Sequence, residues 1–251
     1  MSAPHDSIGR FAGRAGDYAR YRPSYPPAAI DAILEGLGNP RDVAAADIGA
    51  GTGISLQLLS ERGCRAIGIE PGAEMRSQAG DLDVRDGTAT ATGLAGSAFD
   101  LVTAFQAFHW FANAQAADEF ARILRPGGRL ALVWNLFERS ESFMDEFGAL
   151  HERFAEKGRI AGLGVDEKAH ADVLRAAGFG PVRRASFVWT LEGDFALLLG
   201  RARSSSTMPR AGPNYDAMVR ELHDLHARYA DAGGFIPLTY RTDVFLTEKP
   251  L

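Results

Sequence analysis

Val43-Ala44-Ala45-Ala46-Asp47-Ile48-Gly49-Ala50-Gly51-Thr52-Gly53 decides the fold. An apolar run breaks into glycines at every second position, and Ile54-Ser55-Leu56-Gln57-Leu58-Leu59 then opens a helix. This reads as a buried strand, a sharp turn and a helix start. Glycine supplies the positive φ that such a turn requires and leaves bare main chain for a ligand to rest on.

The neighbours of the turn narrow the ligand. A dinucleotide fingerprint, G-x-G-x-x-G, sets a pyrophosphate on the helix N-terminus. Here the third glycine comes one residue early, and Ile54 stands where it is required. Asp47, two residues before the first glycine, would repel a pyrophosphate and attract a cation. Glu70 ends the next apolar run, Arg65-Ala66-Ile67-Gly68-Ile69, and precedes Pro71. An acid at the tip of a second strand accepts hydrogen bonds from ribose hydroxyls. A nucleoside with an ammonium group instead of a phosphate satisfies both acids, and S-adenosylmethionine, with its sulfonium, fits that description.

In order along the chain, Asp47-x-Gly49-x-Gly51-x-Gly53, Glu70-Pro71, Phe99-Asp100-Leu101-Val102 and Leu124-Arg125-Pro126-Gly127-Gly128 resemble the successive motifs of class I S-adenosylmethionine-dependent methyltransferases. The resemblance spans about residues 40–136. Tyr18-x-x-x-Arg22-Pro23-x-Tyr25-Pro26 and Gln106-Ala107-Phe108-His109-Trp110-Phe111 are similar to the type 11 subgroup that includes trans-aconitate-methyltransferase-like proteins. It implies an α/β, Rossmann-like sheet of seven strands flanked by helices, the last strand antiparallel. It also implies a cofactor site of Asp47, Gly49, Ala50, Gly51, Gly53, Glu70, Pro71 and Met75, with Thr88 and Ala89 around the adenine and Gln106 beside the cofactor. Many relatives carry an acid where this chain has Thr88.

Composition limits the alternatives. A length of 251 residues suits one α/β domain, and 46% hydrophobic with 24% charged residues is ordinary for a globular chain. The formal net charge of −5 gives no general attraction to nucleic acid. The single cysteine, Cys64, excludes an internal disulfide and a thiolate metal cluster, and the six histidines are dispersed, so no metal site is expected. Residues 1–20 carry no apolar leader and no later run approaches a membrane span, which makes a cytoplasmic location the expectation. The oligomeric state is not legible.

Residues 1–25 read as a mobile lid: Gly9, Gly13 and Gly16 argue against a rigid helix, and Tyr18 and Arg22 are placed to close over the methionine end of the cofactor. Pro27 starts a helix running to about Leu37. Asp81–Arg85 reads as a third strand and Phe99–Gln106 as a fourth. Asn113 caps a helix that Pro126-Gly127-Gly128 ends, and Leu130–Trp134 forms a fifth strand. Residues 136–165 read as a helical cap inserted over the substrate side, with Phe143, Phe147, Leu150 and Phe154 at helical spacing. Asp166–Ala177 is a helix stopped by Gly178, followed by a strand over Val182–Thr190, helices over Phe195–Arg203 and Tyr215–Ala230, and an alternating, edge-like strand over Ile236–Thr247.

These placements set expectations for the chemistry. His109, just past the fourth strand, is the candidate catalytic residue, as a base toward a hydroxyl or a donor toward a carboxylate. His109, Trp110 and Trp134 are expected to touch the acceptor. Arg203 joins them because the Arg201–Ser206 segment resembles one that related proteins place beside it, and arginine suits a carboxylate. The leading expectation is methyl transfer to a small molecule. A protein that binds or senses S-adenosylmethionine without transfer is the alternative, and a nicotinamide oxidoreductase is a weaker one.

Overall fold

The structure is a computed structural model, and it describes residues 9, 11, 13–156 and 166–251. Seven strands form one sheet: β1 (Ala44–Ile48), β2 (Arg65–Ile69), β3 (Val84–Arg85), β4 (Phe99–Phe105), β5 (Leu124–Phe137), β6 (Arg183–Gly193) and β7 (Ile236–Glu248). Their spatial order is β3-β2-β1-β4-β5-β7-β6. β1 to β5 run parallel, and β7 is antiparallel to both of its neighbours, β5 and β6. This is the Rossmann-like α/β sheet that the motifs imply. The strand order turns between β1 and β4, where ligands of open α/β sheets bind beyond the carboxyl ends.

The helices are α1 (Ala15–Tyr21), α2 (Pro27–Leu34), α3 (Ile54–Glu61), α4 (Ala73–Arg76), α5 (Ala114–Ile123), α6 (Ser142–Phe154), α7 (Glu167–Ala176), α8 (Phe195–Arg203) and α9 (Gly212–Tyr229). Alternation along each central strand separates two cores. Ala46, Val102, Leu132 and Trp134 face α5 and α7, whereas Ala45, Leu101, Ala131 and Val133 face α2 and α3. A third cluster joins α6, α8 and α9 to the far ends of β6 and β7 through Phe147, Leu198, Leu222 and Tyr240. Each fully buried Leu, Ile or Phe among them contributes about 1.5–3 kcal/mol.

The caps follow sequence chemistry. Asn113 accepts from the Ala116 N–H at 3.0 Å, and Asp166 accepts from the Ala169 N–H at 2.9 Å. Gly178 ends the next element with φ of 85°.

Several expected boundaries move. Gly16 lies inside α1, because that helix is held by tertiary contacts that outweigh its glycine. α2 stops at Leu34, and only Val84–Arg85 of the third strand pairs. β5 begins at Leu124, since its first residues pair with Phe99 before a register shift. β7 is no edge: it is buried along most of its length between two strands, and β6 takes the edge. Of the expected helical cap, Ser142–Phe154 is a helix, while residues 157–165 lie outside the described set, as does most of the start of the N-terminal segment.

Candidate cofactor site

A cavity of about 530 Å³ opens beyond the carboxyl ends of β1, β2 and β4, within the range of small-molecule sites. Its wall includes Gly49, Glu70, Pro71, Met75, Thr88 and Ala89, so these expected residues do converge. Gln106, Trp110 and Tyr18 join them from the other side. Phe11 and Glu74 also line it and had no motif to announce them, and Phe111, the end of the Gln106–Phe111 motif, lines it as well.

The glycine turn is shaped by close approach. Gly49 has φ of 75°, and an added Cβ would stand 2.7 Å from the Ala107 Cβ. The main chain here can take no side chain. Glu70 is fixed by the same turn, accepting from the Gly51 N–H at 3.1 Å and the Gly72 N–H at 2.8 Å. Burial pushes its pKa up, and those two N–H groups and Arg76 oppose the rise.

Asp47 differs from expectation. It is fully buried beneath the turn, accepting from Ser55 Oγ at 2.6 Å and Thr103 Oγ1 at 2.7 Å, and it is not part of the cavity wall. Burial raises its pKa to about 6 against the two hydroxyl bonds. The strand alternation explains this: Asp47 shares the face of Ala45, against α3, where it ties α3 and β4 to β1. Gly51 and Gly53 likewise shape the turn without lining the cavity; an added Cβ at Gly53 would meet Leu82 Cδ1 at 2.7 Å. Ala50 borders a smaller side cavity together with Arg22.

The far wall is set by the end of β4. Gln106 adopts φ of 51°, a left-handed conformation uncommon outside glycine. Its N–H donates to Val133 O at 2.8 Å and its side-chain amide donates to Asn135 O at 2.8 Å. These two bonds hold the strained residue against the cavity.

His109 and Trp134 do not meet expectation as acceptor contacts. Trp134 is 1% exposed, stacked on His170 at 5.3 Å, and its indole Nε1–H donates to His109 Nδ1 at 3.2 Å. Nδ1 therefore carries the lone pair of a neutral imidazole and Nε2 the proton. His109 can donate, but its basic nitrogen is taken. It is absent from the cavity wall, which Trp110 and Phe111 form instead.

Arg203 is also placed elsewhere, in an ion pair with Asp17 of α1 at 3.1 Å. Residues two apart on a helix face different ways, and it is Arg201 that turns inward, 8% exposed. Arg14, which no motif marked, donates to the carbonyls of Arg203, Ser205 and Met208 at 2.6–2.9 Å. Gly13 N–H donates to Glu74 at 2.5 Å, and Phe11 meets Tyr18 and Trp110 edge-on at 5.6 and 5.9 Å. Phe11 and Tyr18, from the described part of the N-terminal segment, thus cover one side of the cavity.

The charge of this chamber tests which ligand it suits. Its charged wall residues, among those described, are Glu70 and Glu74, with no lysine or arginine. A pyrophosphate would meet only repulsion there, whereas a sulfonium or ammonium is attracted. Glu70 keeps lone pairs for a ribose diol after its two backbone bonds. The residues fit S-adenosylmethionine. Among the described residues no group of three His, Cys, Asp or Glu side chains could hold a metal, and no helix is long and apolar enough to cross a membrane.

Comparison with known proteins agrees with the geometry. Residues 46–132 match the family described as methyltransferase domain. Over 246 residues the chain is 29% identical to an uncharacterized methyltransferase of Schizosaccharomyces pombe, covering 94% of this chain and 92% of the relative. A stretch of 144 residues is 39% identical to an uncharacterized methyltransferase of Mycobacterium tuberculosis, covering 56% of this chain and 58% of that one. A proposed type II methyltransferase of Anaeromyxobacter dehalogenans shares the fold, with a TM-score of 0.62 at 21% identity over 92% of this chain and 98% of its own. These names state methyl transfer and no acceptor.

Proposed function

Because the chain carries a class I methyltransferase domain and takes S-adenosylmethionine as cofactor, we propose that it methylates a small molecule, at a carboxylate or a hydroxyl, inside a chamber covered on one side by its own N-terminal segment. The observation that carries this reading is that cover. Phe11 and Tyr18 of that segment line the cavity, and the backbone of Gly13 ties the segment to Glu74, another residue of the cavity wall. A polymer would have to displace them, whereas a metabolite fits within. The net charge of −5 supports the same reading, as it does not favour a nucleic acid partner. A cytoplasmic location goes with it.

Bound S-adenosylmethionine supplies a methyl group already activated by a sulfonium. In this reading Glu70 holds the ribose, the bare backbone at Gly49 supports the methionine portion, and Pro71, Met75, Thr88 and Ala89 enclose the adenine. Tyr18 and Arg22 stand at the methionine end, as a lid would. Phe11, Trp110 and Phe111 exclude water, leaving the chain chiefly an aligning role. A carboxylate acceptor needs no base, which suits a site whose nearby His109 has its basic nitrogen bonded to Trp134.

The test is incubation of the purified protein with methyl-labelled S-adenosylmethionine and a pool of small metabolites, read by mass spectrometry. Label in a low-molecular-weight ester or ether is expected. Label confined to protein or nucleic acid, or cofactor binding with no transfer, would overturn the proposal.

A further inference from the structure

β6 is a long edge: eleven residues, where a strand typically has roughly 5–6. On one side it pairs with β7 in unbroken register from Arg183 to Gly193, without a bulge. On the other side, among the described residues, no backbone group of β6 is bonded. Proteins normally blunt such an edge with a charge, a proline, a bulge or a covering element. The middle of β6, Ala185-Ser186-Phe187-Val188-Trp189-Thr190-Leu191, carries no charge and no proline.

Burial alternates along the strand. Ala185, Phe187, Trp189 and Leu191 are half-buried, and Phe187, Trp189 and Leu191 pack on the cores beneath them. Arg184, Ser186, Val188, Thr190 and Glu192 are exposed. Val188, the midpoint of β6, is 64% exposed. One exposed valine is ordinary; the order of its neighbours is what carries information. Outward from Val188 stand Ser186 and Thr190, then Arg184 and Glu192.

A strand that pairs antiparallel with a second copy of itself does so about a two-fold axis, so that residue i faces j and j faces i. The axis is perpendicular to the sheet and keeps each face on its own side. Side chains alternate with period two, so opposed residues come from the same face, and the possible registers differ by steps of two. The register centred on Val188 pairs the whole strand. It sets Arg184 against Glu192 twice, Ser186 against Thr190 twice, and Val188 against its own counterpart. On the half-buried face Phe187 meets Trp189 and Ala185 meets Leu191. The next register on one side sets Glu192 against Val182, and the next on the other sets it against Ser186, so neither matches it with a cation. Within its own chain Arg184 bonds Glu167 at 2.6 Å and Asp243 at 2.9 Å, with its side chain still 39% exposed. Arginine has five N–H donors, which leaves some for a second carboxylate. Glu192 has no ion pair among the described residues.

We propose that β6 pairs with β6 of a second copy of this chain, antiparallel and centred on Val188, joining the two sheets into one. The pairing is independent of the methyltransferase reading, because β5 and β7 separate β6 from β4 and the cofactor cavity.

Sedimentation of the full chain over a concentration series tests it, with circular dichroism to check that each variant folds. The wild type is expected to form a dimer. Val188→Lys places two like charges on the axis, and Glu192→Arg and Arg184→Glu each set like charges against one another at both ends, so each should weaken the dimer about tenfold or more. Mixing Glu192→Arg with Arg184→Glu restores opposite charges at both ends, and the mixture should dimerise where neither variant does alone. A wild type that stays monomeric into the millimolar range overturns the proposal. So does a dimer that Val188→Lys and Glu192→Arg leave unchanged, or a mixture of folded charge variants that stays monomeric. If Arg184→Glu, which also loses its bonds to Glu167 and Asp243, does not fold, crosslinking takes the place of the mixture. A short bismaleimide should link copies of Val188→Cys, which meet at the axis, and not copies of Glu192→Cys, which the pairing holds roughly 26 Å apart; the native Cys64 is buried. Equal linking of the two, or none of either, overturns the proposal.

Discussion

Asp47 and Glu70 end neighbouring parallel strands, yet their surroundings give them different work. Glu70 lines the cavity with its carboxylate oriented by two N–H groups, so Glu70→Ala should weaken S-adenosylhomocysteine binding by about 1–3 kcal/mol in calorimetry. Asp47→Asn should leave that affinity nearly unchanged, because Asp47 reaches only Ser55 and Thr103. Its effect belongs to stability. With a folded pKa of about 6 against 3.8 for the free acid, the native state binds more protons than the unfolded chain between those values, and stability falls as pH rises through them. The drop is roughly 3 kcal/mol by pH 7, and urea unfolding of Asp47→Asn should lack it. A parallel pH dependence in the variant would remove Asp47 as its source. The sequence made both acids visible as candidates. It could not say which faced the ligand, because side-chain direction at a strand's end is set by what packs across it. Trp134, near the end of β5, likewise sits in the right segment but turns into the core, while Arg203, on helix α8, faces α1 and leaves the inward face to Arg201.

At the scale of elements, the cover on the cavity depends on α1 lying directly on α8. An added Cβ at Gly200 would fall within the Tyr21 ring, a clash with no flexible end to yield. Gly200→Ala should therefore cost about 1–3 kcal/mol, as overpacking does, and should undock α1. Hydrogen exchange is expected to speed up at Ala15–Tyr21 while the amides of β1 and α3 keep their protection. Equal exchange in both proteins would show that α1 tolerates the insertion. This contact was not legible in advance, since glycines near the chain's start argued for a loose segment and nothing local to Gly200 signalled a neighbour. The glycine turn and the caps of α5 and α7 were legible, because there the signal and its structural partner lie within a few residues.

For the whole molecule, the sheet order and the cavity at its turning point follow from motifs spread over about a hundred residues, each fixing one strand end. Ligand linkage should be felt throughout: S-adenosylhomocysteine at about 100 times its Kd adds about 2.7 kcal/mol, or roughly 5–10 °C in Tm for a chain of this size. An unshifted melting curve would mean that the fold does not hold the cofactor. The position of β7 escaped sequence reasoning because its alternation is compatible with an edge, and only the pairing of β5 on one side and β6 on the other makes it internal. That position also orders events during synthesis. β5 and β6 each offer an open row of backbone donors and acceptors until residues 236–248 arrive between them, so the growing chain carries two adhesive edges until β7 is made. The half that holds the cofactor site can assemble first on the ribosome, and β7, made after the other six strands of the sheet, is the one that seals the other half against its neighbours in the cell.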